Sequence, residues 1–361
     1  MKFSIYKFLL LMVLASALTA CHDIEEFDSD PRSTFEQLWT ILDEHYCFFE
    51  QKGVDWNEVH SRYSPMVADG MTDQELFGVC EQMLAELSDG HTNLSSTFAT
   101  SYYRKWWSDY PQNYSARLVQ EYYFNFNYRT VGGIDYGMLP QNVGYMHYSS
   151  FSYGIGEGNL DSILAYMATA DGLIIDVRDN GGGSMTNVET LVGRFITGRT
   201  LAGTICHKNG PCHGDFSEPY PYYYNPDVWK RFHHRNEIVG GGKGGAVTEH
   251  HNGFAPHNAP LVGRIIVVGI WFGEIAVAGT VLVADCSGGG SGMPFSSELT
   301  NGWGIRFSGS PVRDPQGRLT EFGVDPSEGC AVDLDPVEAL AGRDTMLDFA
   351  VTTVLSMPLI L

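Results

Sequence analysis

Two segments of this sequence carry residue types that could do acid–base chemistry. His91 follows Leu87-Ser-Asp-Gly90 at the end of a predicted helix, whereas Gly181, Gly182 and Gly183 lie between an apolar run and another predicted helix. A histidine with a pKa near 7 can accept the proton of a hydroxyl nucleophile. Glycines at a strand-to-helix turn expose backbone N–H groups that can stabilise a developing negative charge. From these residues alone, a capping or packing role for His91 is an equally good interpretation.

The glycine cluster could instead bind phosphate. A P-loop places Lys and Ser or Thr directly after its last glycine, where they contact phosphate and magnesium. No Lys-Ser/Thr pair follows Gly183, so we do not expect a nucleotide site.

Five motifs occur in order along the chain, after a helical unit. They are Leu87-Ser-Asp-Gly-His-Thr92, Gly172-Leu-Ile-Ile-Asp-Val-Arg-Asp-Asn-Gly-Gly-Gly183, Gly288-Gly-Gly-Ser-Gly292, Glu321-Phe-Gly-Val-Asp-Pro326 and Asp344-Thr-Met-Leu-Asp-Phe-Ala350. This order resembles the C-terminal-processing (tail-specific) serine peptidases, in particular their tricorn-like branch, over roughly residues 33–354. The resemblance implies fold class α/β (α+β), with a ClpP/crotonase-like α/β core preceded by a small three-helix domain.

The resemblance also implies the roles of individual residues. His91 matches the general base, Glu321 matches a glutamate that helps to order the site, and Gly182 and Gly183 match the oxyanion hole. Without the resemblance, Glu321 would be taken as a solvated hairpin residue. The substrate would be a peptide or protein, and we expect no cofactor and no metal.

The serine nucleophile of the family is missing from its expected place. It should follow a strand near Ile265, yet no serine lies between Ser217 and Ser287. The whole segment from Trp229 to Ala284 differs in composition, because it lacks Ser, Asp, Tyr, Cys, Met and Gln and contains five histidines. Family-like sequence flanks it on both sides. We therefore hypothesise that residues 229–284 are out of frame, which resequencing of the gene would test.

Two other interpretations of this segment stay open. The histidines His233, His234, His250, His251 and His257 could form a metal site with Cys206-His207 and Cys212-His213, although no known zinc spacing is present. Alternatively, the nucleophile could have moved to Thr280, Cys286, Ser287 or Ser291.

Local patterns predict the elements that position these residues. Oxygen-bearing side chains followed three residues later by Glu predict helices that start at Ser33, Asp55 and Thr72. Gly90 is predicted to close the third helix in a left-handed conformation. Strands are predicted at 143–148 and 172–177, helices at 160–169, 187–196 and 344–354, and a hairpin of 305–308 with 318–322. We interpret the apolar run 265–284 as buried strands, because Glu274 makes it a poor membrane span.

The N-terminus has the features of a bacterial lipoprotein signal. Lys2 and Lys7 precede a short apolar run, and Leu18-Thr-Ala-Cys21 resembles a lipobox, in which Cys21 is acylated. An ordinary signal peptide is the alternative. The prediction places the protein in the cell envelope, lipid-anchored on the periplasmic or outer-surface face.

These patterns divide the chain into five parts. They are a lipoprotein signal peptide (1–21), an acidic tether (22–32), a three-helix tricorn-type domain (33–95), an aromatic-rich β linker (96–142) and a peptidase α/β core (143–355) that contains the anomalous segment 229–284. The linker is too short for an inserted PDZ domain, which we expect to be absent.

Composition limits the possible functions. With 361 residues, 43% hydrophobic and 18% charged, the chain is globular, and its net charge of −21 disfavours nucleic acid as a partner. We predict an envelope-anchored serine-type endopeptidase that uses His91 as base. A catalytically inactive, peptide-binding lipoprotein is the alternative, and a lipid-anchored scaffold without a peptide site is a third.

Overall fold

The structure is a computed structural model that describes residues 27–103, 105, 112–156, 158–196, 198–227, 265–268, 281–284 and 289–357. Cys21 and the signal sequence lie outside these residues. So do the five histidines of the anomalous segment, Thr280, Cys286 and Ser287.

Four helices form the N-terminal part of the described chain: α1 (Pro31–His45), α2 (Phe49–Lys52), α3 (Trp56–Tyr63) and α4 (Asp73–Ala85). The short helix α2 was not predicted. Gly53 caps its C-terminal end with a φ of 64°, which suits a residue without a side chain.

Two of the three predicted helix starts are confirmed. The Asp55 side chain accepts a hydrogen bond from the Glu58 amide, and Thr72 and Glu75 form a complete capping box. The predicted start at Ser33 is wrong, because Asp30 caps α1 and Pro31 occupies its first turn. A proline there needs no N–H partner, so the helix begins earlier than the capping-box pattern suggested.

The helical part shares one hydrophobic core with a sheet from much later in the chain. Strand β1 (Asn93–Ser95) pairs antiparallel with β11 (Gly304–Ser310), which pairs antiparallel with β10 (Met293–Glu298). Buried Phe35, Trp56, Leu76, Trp303 and Ile305 belong to this common core. The loop after α4 is therefore held close to residues 289–310.

The central sheet has six strands in the order β2-β3-β4-β5-β8-β9. Their bounds are β2 (Arg129–Val131), β3 (Ile134–Met138), β4 (Val143–Tyr148), β5 (Gly172–Asp176), β8 (Ile265–Val268) and β9 (Val281–Val283). Strands β4, β5, β8 and β9 run parallel, so the loops that follow them meet at one edge of the sheet. The predicted strands at 143–148 and 172–177 are confirmed.

Helices cover both faces of this sheet. On one face, α6 (Asn159–Tyr166) and α7 (Met185–Val192) pack against Leu173 and Ile175, and on the other α9 (Thr345–Ser356) packs against Ile174. The alternation along β5 buries successive side chains against different helices, as expected for an internal parallel strand. The described residues of 94–142 form β1, the short helix α5 (Ala116–Leu118), one π-helical turn (Val119–Tyr123), β2 and β3.

The C-terminal hairpin differs from its prediction. Strand β11 pairs with β10 and β1, whereas β12 (Val312–Arg313) pairs with β6 (Thr200–Ile205), which also pairs with β7 (Tyr220–Tyr224). A single bridge between Arg313 and Leu319 closes the predicted turn. The residues that were predicted to form the first strand of the hairpin thus pair with distant strands instead. The remaining helix is α8 (Pro336–Leu340).

The apolar run 265–284 contributes strands β8 and β9 to the central sheet, so the prediction that it contains strands is confirmed. Val283 and Ala284 are fully buried. Within the described residues, no helix is long and apolar enough to cross a membrane.

Candidate active site

His91 lies in the loop between α4 and β1, and this loop is organised by Asp89. The Asp89 Oδ1 atom accepts a hydrogen bond of 2.8 Å from the His91 amide, and its Oδ2 atom accepts one of 3.2 Å from the Thr92 hydroxyl. The His91 Nδ1 atom is buried and forms no hydrogen bond with another described residue. The Asp89 carboxylate therefore holds the backbone of the loop rather than the His91 ring.

The predicted left-handed closure at Gly90 is wrong. Ser88 adopts this conformation instead, with a φ of 47°. A non-glycine residue rarely does so without tertiary contacts. Here the Ser88 carbonyl accepts a hydrogen bond of 3.2 Å from the Lys52 ammonium group.

Glu321 lies beside the glycine-rich loop that precedes β10. Its Oε2 atom accepts a hydrogen bond of 2.9 Å from the Ser291 amide, and its carbonyl accepts one of 2.8 Å from Gly290. Gly289 has a φ of 74°, and a Cβ there would overlap the Glu321 carbonyl oxygen. The glycines thus allow the loop to wrap closely around Glu321.

Lys52 connects the His91 loop with Glu321. Its Nζ atom lies 2.8 Å from Glu321 Oε1 and 4.0 Å from Asp89 Oδ2. The side chains of Lys52, Asp89 and Glu321 are only 9%, 1% and 5% exposed. The structure therefore brings Glu321 and the loop that carries His91 together around one buried cation, Lys52, which the sequence analysis missed.

Burial shifts the pKa values of both predicted site residues. It lowers the pKa of His91 below its usual 6.5; the Asp89 charge opposes this change, and Arg306 and Lys52 add to it. It also raises the pKa of Glu321 above its usual 4.5, aided by Asp89 and opposed by Lys52. A neutral imidazole at physiological pH is the form that a general base requires.

The second predicted segment, the glycine loop, follows β5 directly. The Gly182 amide donates a hydrogen bond of 2.9 Å to the Asn180 side chain. Gly183 forms a bridge with Phe151, and its φ of 144° together with the adjacent Ser152 backbone leaves no space for a Cβ. The Gly182 amide of the predicted oxyanion hole is thus already bonded to Asn180.

A second buried histidine, His147, lies near this loop. Its Nε2 atom is 2.6 Å from Asp179 Oδ1, and its ring stacks on Tyr114 with centroids 4.2 Å apart. Burial alone would lower the pKa of His147, but the bond to Asp179 and the charges of Asp176 and Asp179 outweigh it and raise the pKa. The sequence analysis did not single out this pair, which lies on β4 and after β5.

Arg178 anchors the same region from within the core. Its guanidinium donates to both oxygens of Asp176 and to both oxygens of Asp344, and all three side chains are fully buried. Asp344 also caps α9. This contact joins the Asp-Val-Arg motif that follows β5 to the Asp-Thr-Met-Leu motif that begins α9.

Strand β8, near which the nucleophile of the family is expected, lies next to the strand that leads into the glycine loop. Strand β8 pairs in parallel with β5, so the chain that leaves β8 begins at the same sheet edge as residues 177–183. Residues 269–280 lie outside the described part, but their sequence contains neither serine nor cysteine. Of the relocated candidates, Ser291 is described. Its Oγ atom is buried and forms no hydrogen bond with the described residues.

Two histidines that the metal hypothesis included are described, and each lies next to another side chain. His207 Nδ1 lies 2.9 Å from Ser310 Oγ, and His213 Nε2 lies 2.8 Å from Asp43 Oδ1. No group of three or more potential metal ligands occurs among the described residues.

Comparisons with known proteins agree with this architecture. The sequence model of the tricorn protease C1 domain matches residues 27–85, and that of peptidase family S41 matches residues 142–216. A candidate peptidase from Parabacteroides merdae ATCC 43184, of known crystal structure, is 38% identical. The alignment covers 91% of this chain and 98% of that chain, with a TM-score of 0.78. The chain belongs to the C-terminal-processing S41 peptidase family. The predicted family and α/β fold class are confirmed.

A more distant structure shares the fold of this S41 family member. Mature CPAF complexed with lactacystin has a TM-score of 0.58, with 90% of this chain and 97% of that chain covered. The identity is 10%, so this similarity concerns the fold alone. No curated protein matches the sequence.

Proposed function

We propose that this S41 family member has a serine-type peptidase site in which His91 is the general base and Glu321 orders the cluster around it. The single observation that carries the proposal is that one buried lysine contacts both Glu321 and Asp89, the residue that bonds the His91 amide, although Glu321 and Asp89 are distant in the chain. The substrate is a peptide or protein. Its carbonyl oxygen would be stabilised by the amides of Gly182 and Gly183, after Asn180 releases Gly182.

A second candidate function is peptide binding without cleavage. The observation that favours it is the lack of serine and cysteine in residues 269–280, directly after the strand that pairs with β5. If no other residue replaces the missing serine, His91 has no nucleophile to activate, and acyl transfer cannot start. The frame-shift hypothesis for residues 229–284 stays a prediction.

A fluorophosphonate probe separates the two functions, because an activated hydroxyl displaces fluoride and forms an oxygen–phosphorus bond. Catalysis predicts labelling that His91→Ala abolishes and that His60→Ala retains. His60 is a matched control, because it is a half-buried histidine of the helical part whose ring bonds Glu36 at 2.8 Å. Mass spectrometry of the labelled peptide would identify the nucleophile. Labelling that persists in His91→Ala would contradict the role of His91.

The second function predicts a different outcome of the same experiment. Wild-type protein would remain unlabelled, yet a fluorescein-labelled casein digest would show increased anisotropy on binding. A protein that neither labels nor binds these peptides would overturn both proposals and favour the scaffold interpretation.

We also propose that the protein is anchored in the cell envelope by a lipid on Cys21. The support is the sequence Leu18-Thr-Ala-Cys21 after a charged and apolar segment. Growth with an alkyne-tagged fatty acid should label the wild type, whereas Cys21→Ala should be unlabelled. Equal labelling of both would contradict the proposal.

A further inference from the structure

We propose that Lys52 is a positioning residue of the candidate active site, which fixes the His91 loop against Glu321. This inference rests on the proposed role of His91. No motif of the sequence analysis contained Lys52, which ends the short helix α2.

The contacts of Lys52 reach both sides of the site. On one side its Nζ atom is 2.8 Å from Glu321 Oε1, and the other oxygen of Glu321 accepts the Ser291 amide. On the other side Nζ donates to the Ser88 carbonyl at 3.2 Å and lies 4.0 Å from Asp89. One ammonium group with three donors therefore joins the glycine-rich loop to the loop that carries His91.

The position of Lys52 is itself fixed by burial. Its ammonium group lies 5.5 Å from the centre of the Phe48 ring, and the side chain is 9% exposed. Two buried carboxylates, Asp89 and Glu321, would repel each other without a cation between them. The lysine ammonium group is a compact positive charge, whereas the planar guanidinium group of an arginine would need more space.

Lys52 also acts on the ring of His91 through charge. The groups that affect this ring are Asp89, which favours the protonated form, and Arg306 and Lys52, which disfavour it. Tyr46 and Cys47 lie in the same buried surroundings, and the charges of Asp89 and Glu321 help burial to raise their pKa values. Removal of Lys52 should thus take away a positive charge that opposes the effect of Asp89, so the pKa of His91 should rise.

The test follows the NMR titration of His91 in the full chain without substrate, so it does not depend on a nucleophile. In Lys52→Met we expect the midpoint to rise by roughly half a pH unit, because one nearby positive charge is lost. Hydrogen exchange at the His91 amide should become faster, since the loop loses its clamp. Lys52→Arg should restore the His91 midpoint, because it keeps the charge, but only part of the slow amide exchange, because its larger side chain fits the position less well.

Lys208→Met is the matched control. Lys208 also donates to a backbone carbonyl, that of Cys212, and lies 5.3 Å from the centre of a Phe216 ring. We expect it to leave the His91 titration unchanged. If circular dichroism shows that Lys52→Met is unfolded, Lys52→Gln, which retains a donor, replaces it with the same expectation.

The inference is overturned if folded Lys52→Met or Lys52→Gln titrates at His91 like the wild type, or if Lys208→Met shifts His91 equally. A shift at His91 in a protein that fluorophosphonate never labels would support the positioning role and contradict the proposed catalysis. The two claims therefore fail separately.

Discussion

Two buried cations, Arg178 and Lys52, each lie between two carboxylates, but the two regions use this arrangement differently. Arg178 donates to both oxygens of Asp176 and Asp344, so it forms a closed network inside the α/β core. Lys52 makes one short contact with Glu321 and one of 4.0 Å with Asp89. The network around Arg178 stabilises the fold, whereas the looser contacts around Lys52 leave Glu321 with a raised pKa.

The nearby histidines follow the same division. The His147 ring bonds Asp179 directly, and its pKa is raised. Near His91, by contrast, Asp89 bonds the backbone amide, and burial lowers the ring's pKa. A carboxylate next to a histidine thus favours the protonated ring when it bonds the ring, as at His147, and has a weaker effect than burial when it bonds the backbone amide, as at His91.

The largest expected effect comes from breaking the closed network. Arg178→Met would leave Asp176 and Asp344 buried without a cation, so we expect the free energy of unfolding to fall by about 3–5 kcal/mol. Urea denaturation followed by circular dichroism measures it. A loss below that of Lys52→Met would contradict the contrast between the two regions.

A smaller loss is expected for Lys52→Met, about 1–3 kcal/mol, because Glu321 can take up a proton when its cation is removed. The loss should depend on pH. The folded pKa of Glu321 lies above its usual 4.5, so the deficit should be small below pH 4.5. The deficit should grow as the pH rises through the folded pKa of Glu321, where the carboxyl loses its proton, and should stay constant at higher pH. Urea denaturation at several pH values tests this, and a deficit independent of pH would contradict it.

The smallest effect is expected for Asp179→Asn. Because His147 has a folded pKa above 6.5, its pairing stabilises the protein fully below pH 6.5, and this contribution is lost as pH rises through the folded value. Asp179 is 43% exposed, so solvent screening limits the effect to about 0.5 kcal/mol. Thermal unfolding at pH 6 and pH 9 should differ between wild type and variant only at the lower pH. An equal difference at both would contradict the account.

Local signals in the sequence predicted the elements that depend on local contacts. The caps at Asp55 and Thr72 and the strands around Tyr145 and Ile174 agree with the structure. The predictions at Gly90 and at the hairpin were wrong because distant groups decide those conformations: Lys52 bonds Ser88, and β10 pairs with β11.

The candidate site could be predicted only in part. The motifs identified His91, Glu321 and the glycine loop, and the structure shows their contacts. Lys52 and His147 carry no motif, and their importance arises from burial next to Glu321 and Asp179, which are distant in sequence. The engagement of the Gly182 amide by Asn180 is likewise visible only in the folded loop.

The central claim is that burial favours the neutral form of His91, whereas the bond to Asp179 favours the protonated form of His147. An NMR titration of both histidines in one sample tests it, with resonances assigned from His91→Gln and His147→Gln. The account predicts a midpoint below 6.5 for His91 and above 6.5 for His147. Equal midpoints, or the reverse order, would contradict it.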